Sequence, residues 1–218
     1  MIIKVYHNNK DYKIDTKQSI DISIPYNFNG AQPNFYDVNP GELTPLKFGE
    51  TSYSVVDGAG CNVPEISMNI HCTGTHTEYV GHLLEDPGDI GMVFKDILIP
   101  TVLITVHPKL FNDLKEFYHF SINDNELVIS AESISEKFRN WQDDKPQALI
   151  IRTTPNAEDK KYHQFTKIPP PFFTNDALGL ISKLGIKHLI VDLPSIDRMS
   201  DNGTLGNHRI FWGDGSNP

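Results

Sequence analysis

Residues 71–82, HCTGTHTEYVGH, bring three histidines, a glutamate and a cysteine into twelve positions. Imidazole, thiolate and carboxylate together are a ligand set for Zn²⁺, and imidazole with carboxylate also suits Mn²⁺ or Fe²⁺. An ion bound there would bring the pKa of a coordinated water toward neutrality and polarise a carbonyl, the two requirements of amide or ester hydrolysis. A nearby histidine that is not a ligand could then move the proton. In an extended segment, side chains of equal parity share a face. Cys72, His76, Glu78 and His82 are all even-numbered, whereas His71 is odd and would look to the other side. Gly74 and Gly81 allow a bulge or turn, so parity binds His76 and Glu78 more firmly than the outer two. The plainer alternative is a polar strand whose histidines are surface or hydrogen-bonded residues and whose Cys72 is a small buried hydrophobe. Spacing alone leaves the two readings level.

Elements that would position this segment lie on both sides of it. Short apolar or alternating runs predict strands at 2–6, 12–15, 20–24, 52–56 and 65–70. Among them, residues 25–45 form a Pro-, Gly- and Asn-rich loop that carries Tyr26, Phe28, Phe35 and Tyr36. Those rings either pack down onto the sheet or belong to a lid over a pocket. Downstream, DILIPTVLITV at 96–106 reads as a buried strand with a bend or bulge at Pro100. Residues 130–141 place Ile134, Phe138 and Trp141 at helical spacing, with Ser133 and Glu136 as a capping box. Residues 147–153 predict a buried strand, 174–185 a helix capped by Thr174 and closed by Gly185, and 187–193 another strand. That succession suits a crossover joining parallel strands. The expected architecture is a single α/β domain over 1–218, with more strand than helix.

Composition narrows the function classes. The chain has 218 residues, 39% hydrophobic and 10% aromatic, enough for one sizeable core. A net charge of −9, from 19 Lys plus Arg against 28 Asp plus Glu, offers no basic footprint for a nucleic acid. The N-terminus alternates apolar and polar residues, unlike a secretory signal, and no apolar run approaches the ~20 residues that span a bilayer. With only Cys61 and Cys72 there is no disulfide framework. A Cys61–Cys72 bridge stays open, and a reduced, cytoplasmic chain acting on a small molecule is the expectation.

A family resemblance sharpens the picture. TGTHTEYVGH at 73–82 resembles the motif H-x-G-T-H-x-D-x-P-x-H of the metal-dependent cyclase and kynurenine formamidase family, in a branch with Glu for the Asp and without the Pro. DIS at 21–23 resembles that family's early strand and substrate loop, and VDLPSID at 191–197 resembles its D-x-P-S-x-D turn. NHRIFW at 207–212 falls where a downstream metal-binding histidine is expected. The resemblance implies a swivelling β/β/α fold and homo-oligomers in which loops of one subunit close a neighbour's site. It implies a divalent metal, Zn²⁺ first and Mn²⁺ as the alternative. Carried over by position, His76 is a metal ligand and Glu78 bridges two metals. His82 stands in the place of the general acid/base and His208 in that of a ligand of the second metal. Apart from that carry-over, the loop residues Tyr26, Phe28, Phe35 and Tyr36 are expected to contribute to the substrate pocket.

Four departures accompany it. The family's leading histidine falls on Cys72, a softer and more negative ligand. Glu78 reaches one methylene further than Asp, and Val80 leaves the turn toward His82 less stiff. The family's metal-bridging Glu after the downstream histidine has no counterpart in RIFWGDGSNP, where Asp214 is the sole acid, so the second metal site is expected to be weak or absent in the chain as written. The expected function is a metal-dependent hydrolase of a formamide, cyclic amide or related small carbonyl compound, metal-bound hydroxide attacking the carbonyl with His82 as proton shuttle. The alternatives are a metal-binding member without catalysis and a metal-dependent cyclase or dehydratase. His107, His119, His163 and His188 are expected to be structural, Asp192, Ser195 and Asp197 to organise their turn, and Arg198 to face an anionic substrate group.

Overall fold

The computed structural model describes residues 1–7, 10–123, 125–144 and 146–213. Alternation at the N-terminus gives strands β1 (Ile2–His7) and β2 (Lys10–Asp15), antiparallel, with Ile3 opposite Ile14 and Val5 opposite Tyr12 on the half-buried face. Strand β3 (Glu42–Pro45), a two-residue hairpin of β4 (Lys47–Phe48) and β5 (Thr51–Ser52), and β6 (Pro64–Ser67) follow, with β6 antiparallel to β3. In this half of the chain, three expected strands are shortened or missing. Residues 20–24 form a loop because the Asp21 carboxylate accepts from both Ser23 N (2.8 Å) and Ser23 Oγ (2.7 Å), a local turn that competes with strand pairing. The strand expected at 52–56 stops at Ser52, and the one at 65–70 stops at Ser67, because Asn69 begins a short helix, α1 (Ile70–Thr73). A second short helix, α2 (Ile90–Val93), follows.

The core lies in the second half of the chain. Strand β7 (Thr101–Val106) begins directly after Pro100, which has no N–H for a ladder, rather than bending around it. Strand β8 (Lys109–Leu110), β9 (Leu127–Ile129) and helix α3 (Ala131–Phe138) come next. They precede β10 (Ala148–Thr153), β11 (Phe172–Phe173), helix α4 (Asn175–Lys183), β12 (His188–Val191) and helix α5 (Gly206–Trp212). A parallel sheet runs β12-β10-β7, with Leu149 beside both Leu189 and Val102, and a second sheet runs β11-β9-β8. Val102, Ile104, Leu149 and Ile151 join Ile134 and Phe138 of α3 and Ala177, Leu178 and Ile181 of α4 in one buried cluster. Each fully buried aliphatic side chain there contributes about 1.5–3 kcal/mol.

Helix ends explain why these segments stop where they do. Thr174 Oγ1 accepts from Ala177 N (3.1 Å), and Gly185 takes φ 75°, the left-handed conformation that closes α4. Helix α3 is capped by Ser130, whose Oγ accepts from Ser133 N (3.1 Å), so the cap falls one turn before the expected Ser133. Glu116 takes the next free amides, Ala131 N (2.9 Å) and Glu132 N (3.0 Å).

Candidate functional site

Residues 71–82 are not a strand. The Asn69 side chain accepts from Cys72 N (3.0 Å), and the Thr73 hydroxyl donates to Asn69 O (2.6 Å), which winds 70–73 into a single helical turn. At Gly74 the chain leaves the helix in an extended conformation, and a 3-10 turn takes over at Val80–Leu83. A Cβ on Gly74 would stand 3.2 Å from ring carbons of Tyr26, so the close approach of that ring accounts for the glycine. Successive residues in a helix turn by about 100° rather than alternating across a sheet. Parity therefore stops deciding which of His71 and Cys72 faces Glu78. His71 does, with its side chain still half exposed.

The result is a carboxylate with imidazoles around it. Glu78 Oε1 lies 2.8 Å from His208 Nε2, and its Oε2 lies 3.2 Å from His71 Nδ1, 3.9 Å from His76 Nε2 and 4.0 Å from His82 Nε2. The rings pack as well, His71 stacked on His82 at 4.6 Å and edge-on to His76 at 4.8 Å. Helix α5 carries His208 in from the far end of the sequence, and its ring packs beside Trp212. Two imidazoles have their other nitrogen fixed: His76 Nδ1 sits 2.9 Å from Gly74 O, and His208 Nδ1 sits 2.5 Å from Asp197 Oδ2. One ligand atom each from His71, Glu78 and His82 lies within 4.8 Å of the others, a nitrogen and oxygen set that fits a divalent cation. A cavity of about 560 Å³, open to solvent, adjoins the cluster and is lined by His71, Thr77, Glu78, His82, Asp89 and Ile90 among others.

Electrostatics follow from that packing. Burial acts to raise the Glu78 carboxyl, but the His208 hydrogen bond and the charges of His208, His82 and His76 outweigh it and bring it down to about 2. Burial acts to lower His208, and hydrogen bonds to Asp197 and Glu78 raise it to about 9 instead. His71 is held below the ordinary imidazole value by burial and by the neighbouring His76 and His82. Burial pushes the Cys72 thiol up, which keeps it protonated at neutral pH.

Of the residues singled out in sequence, His76, Glu78, His82 and His208 come together here. Cys72 is placed differently from the expectation: both cysteines are free thiols, and among the described contacts the side chain that reaches Glu78 from this turn is the His71 imidazole, which the helical turn rotates there. Cys72 instead accepts Phe35 N on its backbone oxygen (2.9 Å), tying down the aromatic loop. That loop is largely packing. Phe35 is buried against Phe165, Tyr26 OH donates to Thr73 Oγ1 (2.7 Å), and the Phe28 ring packs against Tyr26 at a 40° tilt. Tyr36 is the exposed member, its hydroxyl donating to Met199 O (2.9 Å), and none of the four lines the cavity. Arg198 does not face an anionic substrate group, because its guanidinium is paired with Glu126 through Nε (2.8 Å) and Nη2 (2.7 Å). His119 is held between Asn175 and Thr204, as a structural histidine would be. Ser195 organises its turn by accepting Asp197 N (3.1 Å), and Asp192 accepts Thr153 N (3.0 Å) and pairs with Lys160. Sequence reasoning missed His71 and the contact of Asp197 with His208. The only signal for the first was Asn69, a helix-capping residue three positions before Cys72. Asp214 lies outside the described residues, and no helix among those described is long and apolar enough to cross a membrane.

Comparison with known proteins agrees with the motif. The chain is 28% identical over 197 residues to the kynurenine formamidase of Bacillus mycoides (strain KBAB4), covering 90% of this chain and 78% of that one. The kynurenine formamidases of Bacillus thuringiensis (strain Al Hakam) and Bacillus anthracis, each 29% identical, match over the same 90% and 78%. A family model described as "Putative cyclase" matches residues 20–198. The chain, a mixed α/β protein with several small sheets, belongs to this cyclase family.

Proposed function

We propose that the protein is a divalent-metal-dependent hydrolase of a small formamide or related amide, with the activity that its kynurenine formamidase relatives are named for. The observation that carries this reading is the Glu78 carboxylate with four imidazole nitrogens 2.8, 3.2, 3.9 and 4.0 Å from it, beside an open cavity. Glu78, His76, His208 and His71 would hold the ion. For His76 and His208 the support is specific: Nδ1 of each is engaged by an oxygen acceptor, which leaves Nε2 for the centre, the usual arrangement of metal-binding imidazoles. Nitrogen and carboxylate donors suit Zn²⁺ first and Mn²⁺ second. The ion would supply Lewis acidity, polarising the amide carbonyl and acidifying water.

The remaining work belongs to the chain. His82 lines the cavity, its Nε2 4.0 Å from Glu78, and no polar partner fixes its other nitrogen among the described contacts. As general base it takes the proton of the attacking water, and as general acid it returns that proton to the departing amine nitrogen. The C–N bond breaks, and the products of a formamide are formate and the free amine. Glu78, ionised throughout the neutral range, keeps the imidazoles turned inward.

The working unit we propose is a homo-oligomer of the swivelling β/β/α type, acting in the cytoplasm. The chain exposes 14356 Å², against roughly 10,000 Å² for a compact monomer of 24.6 kDa. Ile20, Phe48, Val56 and Ile97 are all more than three-quarters exposed, apolar area that a second copy would cover. The test is turnover of N-formylkynurenine, simple aryl formamides and cyclic imides with Zn²⁺ or Mn²⁺. Release of amine from a formamide supports the hydrolase. Failure on every hydrolysable amide, with metal bound, would transfer support to a cyclase or dehydratase.

A further inference from the structure

We propose that Asp197 is the positioning residue for the centre, holding the proton of neutral His208 on Nδ1 so that Nε2, which faces Glu78, is the nitrogen offered to an ion. The inference rests on the metal-centre reading above. The Asp197 side chain is 2% exposed and has four donors: His208 Nδ1 (2.5 Å) and His208 N (3.2 Å) on Oδ2, Asn207 N (2.8 Å) and Tyr118 OH (3.4 Å) on Oδ1. Capping the first turn of α5 explains the two backbone amides, and a neutral asparagine or serine would serve for that. It does not explain the ring nitrogen, which makes the shortest of the four contacts. A carboxylate accepts only, so both ring nitrogens face an acceptor, and Nδ1, in the shorter contact (2.5 Å on Asp197 against 2.8 Å for Nε2 on Glu78), is the one that keeps its proton, leaving Nε2 as the nitrogen that gives its proton up when an ion binds.

The shelf that holds Asp197 is itself fixed. Asn207, fully buried, donates from Nδ2 to Phe173 O (2.7 Å) and Ile196 O (2.9 Å) and accepts from Asn175 Nδ2 (2.7 Å). Arg198 N donates to Tyr118 OH (3.1 Å), which orients that hydroxyl toward the carboxylate. Residues from β11, α4 and the 192–201 turn thus fix Asn207, whose backbone N–H holds the carboxylate, and the carboxylate acts on the centre only through the imidazole. Asp197→Asn keeps the shape but leaves one oxygen for donors that now share two. With the oxygen on Asn207 N, an NH₂ faces His208 Nδ1 and drives the ring proton to Nε2, against the ion; with the oxygen on His208, Nδ1–H keeps only a neutral acceptor, and Nε2 becomes a weaker donor to the ion.

The test has two arms. Nitrogen NMR of histidine-labelled, metal-free wild type, on the alkaline side of the His208 titration, should show the His208 proton on Nδ1; a proton on Nε2 overturns the proposal. Competition of Zn²⁺ between the protein and a chelator should show Asp197→Asn binding about 10–100-fold more weakly than wild type, and unchanged affinity in the folded variant overturns the proposal. If Asp197→Asn does not fold, the wild-type tautomer decides. Wild type that binds no divalent ion would defeat the metal reading, whereas the tautomer still judges Asp197 by itself.

Discussion

Replacing Glu78 by Gln should flatten the pH–stability profile of the metal-free protein. The Glu78 carboxyl drops from 4.5 to about 2, led by its 2.8 Å contact with His208, and the His208 imidazole rises from 6.5 to about 9 through its hydrogen bonds to Asp197 first and Glu78 second. Counted once, at about 1.4 kcal/mol per pKa unit, the pair contributes about 3 kcal/mol. The directions fix the window. Stability from the depressed carboxyl is complete above 4.5 and lost as pH falls through about 2. Stability from the raised imidazole is complete below 6.5 and lost as pH rises through about 9. Metal-free wild type should therefore gain most from this pair between pH 4.5 and 6.5. For a chain of this size the loss at either limb corresponds to roughly 6–12 °C in the thermal midpoint. The assay is thermal unfolding across pH with a chelator present, for wild type and Glu78→Gln. The variant should lose the acid limb and show a shallower alkaline one, since Asp197 still holds His208. A variant profile parallel to wild type at both limbs would refute the coupling.

Further substitutions separate the roles. Cys72→Ser should leave metal content unchanged and His71→Ala should reduce it, measured by elemental analysis after dialysis; the reverse order would restore the thiol to the ligand set. His76→Ala should lose metal, while His82→Ala should keep it and lose amide turnover. Retained turnover in His82→Ala would remove that residue from proton transfer. Phe35→Ala should destabilise by about 3–5 kcal/mol in urea unfolding, as loss of a buried aromatic ring does, and an effect near zero would return the ring to a pocket-lining role.

How far the sequence could be read depended on which interactions were local. Thr174 and Gly185 bracket α4 within their own neighbourhood, and the apolar composition of 147–153 and 187–193 demands burial whatever the context. These were legible. At 71–82 the expectation failed, because alternating polarity was given a strand's period while one side chain, Asn69, converts 70–73 to a helical turn. That turn exchanges Cys72 for His71. The convergence of His208 on Glu78, 130 residues apart, was reached through the motif rather than through local pattern. Asp197 read as a turn residue because its local environment is one, and its contact with the His208 ring exists only once α5 folds back. The lid reading of 25–45 gave way to packing at Phe35 and Tyr26, since a loop so rich in rings gains more from burying them than from leaving them to solvent.

Glu78 and its ring of imidazoles should hold a divalent ion. Metal content of the purified protein, measured by elemental analysis beside Glu78→Gln, decides this. Wild type should carry Zn²⁺ or Mn²⁺ in stoichiometric amount, and the variant should lose it. Wild type without any retained or restorable divalent ion, or a variant that binds as tightly, would contradict this.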